Sequence, residues 1–449
     1  MQLLLAALAF SLLTLSPVLA QAAAPDVAQI LADRIERDGQ GQGMATAIVD
    51  DGKTRFVSHG AGIDETSLFE IGSLSKIFTN LLLAQLVHEG QIDLDAPVGD
   101  YLPDGMKIPQ FDGRQITLFD LATHSAGLPA IPPELGLADP ANPYRHYDEN
   151  LLETFLAAYE LPRAPGESYE YSNIGATLVG LAVSHVAGKP YAQMVEERIL
   201  APLGMDVTTL VVPGDKLDRL AQGHDAGGQP VPHWDFAVFA PAGGWRSSAA
   251  DMAKFVAAAS GQTETPLAPG FALMLDRTRP AGSPNMEIGL GWMILERPGG
   301  TTVWHNGRTG GFNAFAGYDP ETGRAVVVLA NAMTRTGIED IGFHLVDGAA
   351  PLTPQPEPRV EVEIDPQILA DYVGTYELGP EFSITVTAED GRLFVQASGQ
   401  QQFEAFPESD TSFFLRQVDA QVSFETGPDG RAETIILHQN GQDIPGKRQ

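Results

Sequence analysis

The sequence predicts an α+β protein with two parts. The first is an antiparallel sheet made from N- and C-terminal strands, flanked by helices, with a helical lobe inserted between the strands. The second is a small all-β barrel. Three observations carry this reading. Residues 44–60 ("MATAIVDDGKTRFVSHG") read as two short strands around an Asp-Gly turn, and strand-like runs return only near residue 301. Apolar helical segments fill much of the interval. Beyond the proline-rich run 351–358 ("PLTPQPEP") apolar residues recur with period two to the end of the chain.

The elements follow in order. The N-terminus "MQLLLAALAFSLLTLSPVLAQAAAP" holds an apolar run, Leu3 to Leu15, too short to span a bilayer, and small residues follow it. Residues 1–20 therefore read as a secretory signal, with cleavage after Ala20 or as late as Ala24, although no Lys or Arg precedes the apolar run. Leu74 to His88 reads as a helix with a broad apolar stripe (Ile77, Leu81, Leu82, Leu86), and Gly90 stops it. Residues 91–175 are rich in Pro, Gly and Asp, with short helices such as Leu151 to Tyr159. Ile174 to Gly188 is a second apolar helix ending at glycine, and "ADMAKFVAAA" is a third. Strands then return as "TTVWHNG", "FNAFAGYDP" and "RAVVVLANA", with a hairpin turn at Asp319 to Gly323. The predicted divisions are a large α+β domain over 25–350, a stiff linker over 351–364 and a β domain over 365–449. Glu389-Asp390-Gly391 and Pro428-Asp429-Gly430 mark hairpins in the last.

Composition removes several function classes. A net charge of −31 opposes binding to nucleic acid and to anionic membrane surfaces. No later segment reaches the roughly 18 uninterrupted apolar residues of a transmembrane anchor. The chain has no cysteine, which rules out disulfides, thiolate metal sites and cysteine nucleophiles. Its ten histidines show neither HxH nor HExxH spacing, so no metal and no cofactor are expected. The expectation is a periplasmic or secreted protein with a small-molecule or peptide substrate and a core large enough to do without disulfides. Its oligomeric state stays open.

Three motifs carry chemistry. In "FEIGSLSKIFTN", Ser73 and Lys76 lie three residues apart at a helix start, on one face. Ser73 is either a helix cap or a nucleophile, and a buried Lys76 would suit the second role by accepting its proton. In "YEYSNIGATLVG", Tyr171 and Asn173 precede an apolar helix; a phenol can relay a proton and an amide can hold a lysine or a substrate carbonyl. In "WHNGRTGGF", His305, Asn306 and Gly307 end a β-branched run, where glycine permits close approach of a ligand.

This ordered set resembles the serine β-lactamase and penicillin-recognising hydrolase superfamily, on its class C branch, which also holds D-Ala-D-Ala carboxypeptidases, D-aminopeptidases and esterases. "LATHSAGLP", "GGWRSSAADMAKF" and "HNGRTGGFNAFAGYDPETGRAVVVLAN" support it, over about residues 25–347. The resemblance implies that Ser73 is acylated and that Lys76 and Tyr171 share the base and acid roles. It further implies that Asn173 contacts the substrate amide, and that the backbone N–H groups of Ser73 and Arg308 form an oxyanion hole. Where most β-lactamases of the superfamily carry Lys-Thr-Gly, this chain has His305-Asn306-Gly307. That lowers the expectation of antibiotic hydrolysis, although the Arg308 side chain would restore part of the charge. Residues 365–449 resemble small barrels appended to D-aminopeptidase-like members, from which a loop would narrow the active site, or which would serve stability or cell-wall binding. The implied activity is an exported serine hydrolase forming an acyl-enzyme with a D-amino-acid peptide, amide or small ester, and weak activity on β-lactams. The alternative is a penicillin-binding protein or sensor that is acylated with little turnover.

Overall fold

The computed structural model describes residues 26–334, 337–354, 359–379, 382–398, 402–416, 420–428, 430–439 and 442–449. The expected signal segment, part of the expected linker and Asp429 of the second barrel turn lie outside the described residues.

The helices that matter here are α1 (Val27–Ala32), α2 (Ser75–His88), α3 (Glu149–Ala158), α4 (Asn173–Ala187), α5 (Ala249–Ala259), α6 (Ala268–Asp276) and α7 (Glu339–Val346). The strands of the main sheet are β1 (Gly43–Asp50), β2 (Lys53–Gly60), β3 (Arg279–Ala281), β4 (Ser283–Ile288), β5 (Met293–Arg297), β6 (Gly300–Arg308), β7 (Asn313–Tyr318) and β8 (Ala325–Ala330). They pair antiparallel in the order β2-β1-β8-β7-β6-β5-β4-β3. Met44 lies opposite Ala330, so the N-terminal strand is a neighbour of a late one, as the order of sequence textures predicted.

Both faces of the central strands are covered. Ala45, Ala47 and Val49 of β1, with Ala325, Val327 and Leu329 of β8, join the large core shared with α2, α4 and α5. The alternate residues Met44, Ile48, Val326 and Val328 pack on α1 and α7. That double burial explains why "AVVVLA" is continuously apolar rather than alternating. By contrast β4 ("SPNMEI") is mostly exposed and carries a proline, so no alternation revealed it in the sequence. β3, β5, α1, α6 and α7 were also not foreseen. They are short, and α6 contains both Pro269 and Gly270.

The chain ends in a closed eight-stranded barrel: β9 (Gly374–Gly379), β10 (Phe382–Glu389), β11 (Arg392–Ala397), β12 (Gln402–Pro407), β13 (Ser412–Leu415), β14 (Ala420–Thr426), β15 (Ala432–Gln439) and β16 (Gln442–Arg448). Pairing of Tyr376 with Arg448 closes it and leaves no open edge. Tyr376, Val386, Leu393, Phe413, Val422 and Phe424 fill the interior. Phe414 and Arg416 line a cavity of about 260 Å³ together with Gln42, the 225–228 loop and Met333 of the first domain.

Candidate active site

Ser73 sits on a short 3-10 turn, Gly72–Leu74, that leads into α2. It does not cap that helix. Leu74 holds the N-cap position, with no side-chain capping bond, while Ser75 Oγ donates to Gly72 O at 2.7 Å and accepts from Trp245 N at 3.1 Å. The Ser73 hydroxyl is thus free for other partners, and two converge on it. Lys76 Nζ lies 2.9 Å from Ser73 Oγ, and the Tyr171 hydroxyl lies 2.6 Å from it.

Lys76 is fully buried because α2 is enclosed on nearly all sides, not on a stripe alone. Its amine reaches two further acceptors, Asn173 Oδ1 and the Ala242 carbonyl, each at 2.7 Å. Burial holds the Lys76 pKa well below that of an ordinary lysine. A neutral amine there spends two N–H groups on Asn173 and Ala242 and leaves its lone pair for the Ser73 proton. Tyr171 is shifted the other way. Burial raises its pKa above the usual phenol value, only partly offset by its bond to Ser73, so it stays protonated and donates. Asn173 opens α4, where Ser172 caps Gly175 N at 3.0 Å, and its Nδ2 donates to Tyr144 OH at 3.1 Å.

The third segment is the end of β6. Gly307 and Gly72 face each other across a contact with no room for a side chain. A Cβ on Gly307 would overlap the Ile71 carbonyl, and one on Gly72 would sit 2.7 Å from Arg308 N. Gly72 also has φ +51°, a conformation that glycine adopts without strain. The two glycines bring the backbones at Ser73 and Arg308 together, the approach that an oxyanion hole formed by their N–H groups needs.

Strand alternation divides the remaining residues of the motif. His305 shares a face with Gly307 and is 2% exposed. Its Nδ1 lies 2.5 Å from the Asn306 carbonyl, which can only accept, so Nδ1 carries the proton and Nε2 is an acceptor. Burial first, then Lys76 in its protonated form, lowers its pKa to about 4. His305 is therefore uncharged at neutral pH, and its Nε2 does not donate to a substrate anion. Asn306 and Arg308 point to the opposite face, where both bond Glu339 of α7. The expected restoring charge of the Arg308 guanidinium is thus already paired with a carboxylate.

Sequence reasoning did not single out His124, Tyr144, the Ala242 carbonyl or Glu339. His124 lies in "LATHSAGLP", quoted only as a supporting string. It is buried, has φ +52°, and accepts from Ser172 N at Nδ1 (3.2 Å). A buried histidine at positive φ is uncommon, but a sequence does not display φ. The hydrogen-bond partners of Ser73, Lys76, Tyr171 and Asn173 described above all lie before the barrel.

Known protein families match most of the chain. The Beta-lactamase family model matches residues 27–350, and a second model, Domain of unknown function (DUF3471), matches 358–448. The chain is 29% identical over 358 residues to the D-alanyl-D-alanine-carboxypeptidase/endopeptidase AmpH of Escherichia coli (strain K12), covering 73% of this chain and 91% of that protein. It is 30% identical to a beta-lactamase of Pseudomonas fluorescens, covering 69% and 94%. Among solved structures, a class C beta lactamase from Rhodobacter sphaeroides superposes with a TM-score of 0.59 at 26% identity, over 68% of this chain and 93% of that one. The match takes in all three segments that meet at Ser73, and the chain belongs to the beta-lactamase family of serine hydrolases, in its class C-like branch, with an appended C-terminal β-barrel.

Proposed function

We propose that the protein hydrolyses an ester or amide of a small molecule or D-amino-acid peptide through an acyl-enzyme on Ser73. The observation that carries this reading is the convergence of Lys76 Nζ and Tyr171 OH on Ser73 Oγ. In acylation Ser73 Oγ bonds to the substrate carbonyl carbon and passes its proton to the lone pair of Lys76. The N–H groups of Ser73 and Arg308 take up the charge that develops on the carbonyl oxygen. The bond to the leaving heteroatom then breaks, and that atom departs with one proton supplied by the Lys76–Tyr171 pair. Water attacks the acyl-enzyme, gives a proton to the same pair and releases the acid, and Ser73 is restored.

The pKa directions support Lys76 as the resting base and Tyr171 as the protonated partner. An uncharged His305, where most β-lactamases place lysine, supports weak rather than efficient β-lactam hydrolysis. The N-terminal sequence supports export to the periplasm or medium, which N-terminal sequencing of the mature protein tests.

A fluorophosphonate probe should label the wild-type protein once, at Ser73, and Ser73→Ala should not be labelled. Labelling of Ser73→Ala overturns the assignment. Sustained release of nitrophenol from p-nitrophenyl acetate is expected; a single stoichiometric burst would favour a penicillin-binding sensor instead.

A further inference from the structure

We infer that Glu339 is a specificity-determining residue, selecting against substrates that carry a carboxylate near the end of β6. This rests on the acyl-enzyme reading above. Glu339 opens α7, and its side chain is 17% exposed. Its Oε1 accepts from Asn306 Nδ2 at 2.5 Å and from Arg308 NH2 at 3.2 Å, and Oε2 lies 3.4 Å from the same guanidinium nitrogen. Those two residues flank Gly307, whose close approach to Ile71 and Ser73 brings the Arg308 amide to the site. One carboxylate therefore occupies the side-chain donors on both sides of that glycine.

A substrate carboxylate arriving there meets three obstacles. The Arg308 guanidinium is 43% exposed and reachable, but its charge is offset by Glu339. The Asn306 amide is already donating. The Glu339 charge itself repels an incoming anion, and at the intermediate dielectric of a protein surface that repulsion is enough to change affinity about tenfold. An uncharged group meets none of these penalties. His305 offers no compensation, since it is buried and neutral and its Nε2 is an acceptor.

The test uses full-length protein and a matched pair of substrates, phenyl acetate and meta-carboxyphenyl acetate. The ratio of kcat/KM for the charged over the neutral ester should rise about tenfold in Glu339→Gln, which keeps an acceptor for Asn306 and Arg308 while removing the charge. The double variant Glu339→Gln/Arg308→Gln should keep only part of that gain, because the freed guanidinium supplies the rest. Melting curves establish that both variants are folded. Should Glu339→Gln not fold, raising the salt concentration on wild type is the second measurement: screening should improve the ratio, and an indifferent ratio overturns the proposal. A ratio unchanged in folded Glu339→Gln also overturns it, while the Ser73 reading survives if the fluorophosphonate still labels wild type. Failure of that labelling removes both.

Discussion

Gly72 and Arg308 meet backbone to backbone: a Cβ on the glycine would stand 2.7 Å from the arginine amide nitrogen and 2.8 Å from its carbonyl oxygen. The glycine also holds φ +51°. Gly72→Ala therefore carries two penalties, a left-handed backbone costing about 1–2 kcal/mol and a clash with main-chain atoms that have no rotamer to escape into. The expected outcome is a lower melting temperature and a fall in kcat of at least tenfold, as the Ser73 and Arg308 amides are pushed apart. A folded Gly72→Ala with wild-type kcat would show that this approach does not matter to the reaction.

The amine of Lys76 should act as a base below the range of an ordinary lysine, since burial lowers its pKa. Activity that needs the neutral amine rises as pH passes upward through that lowered pKa. The pH profile of kcat/KM on a neutral ester should have its acid limb well below the reference value of about 10.4. Lys76→Arg keeps a cation that does not deprotonate, and should lose about 10²–10⁴ in kcat. An acid limb at the ordinary lysine value would contradict the assignment.

His305 links the site to acid stability. Its folded pKa of about 4 lies below the unfolded value of 6.5. Between those values the unfolded chain binds a proton that the folded chain does not, so stability is complete above the unfolded pKa and is lost as pH falls through the window. The full effect is on the order of 3 kcal/mol. The drop in melting temperature between pH 7.5 and pH 4.5 should be smaller in His305→Gln than in wild type. Equal drops would argue that His305 does not titrate in this way.

His124 positions the Tyr171 segment. Its ring centroid is 4.5 Å from that of Tyr171, its Nδ1 accepts from Ser172 N, and its carbonyl accepts from Glu170 N at 2.6 Å. Nε2 is buried with no hydrogen-bond partner among the described residues, so the ring tolerates a polar cost to stay there. His124→Leu should lower kcat about tenfold or more with little change in KM. His124→Asn should recover part of the loss, because asparagine accepts positive φ and supplies an acceptor for Ser172 N. Wild-type kcat in His124→Leu would remove the positioning role.

The class of the fold and the local motifs follow from residue order alone. Two strands, an interrupting set of apolar helices and returning strands are fixed by short-range periodicity, and the spacing of Ser73 and Lys76 by one helical turn is a local fact. The period-two pattern after residue 365 likewise announced a β module, which closes into a barrel. The strands β3–β5 at one end of the sheet escaped because they are short and carry little buried apolar surface; their identity comes from the neighbours they pair with. The site depended still more on distance in the chain. Lys76 reaches Asn173 and Ala242, residues 97 and 166 positions away. That separation is what buries its amine and lowers its pKa. His305 stood in the sequence only as the residue in place of a lysine, and it is a neutral acceptor because burial and the Asn306 carbonyl decide its proton. Arg308 read as a spare positive charge. Only the packing of α7 against β6 brought Glu339 to it, since charge in a sequence is a count while charge in a site depends on which partners the fold places within reach.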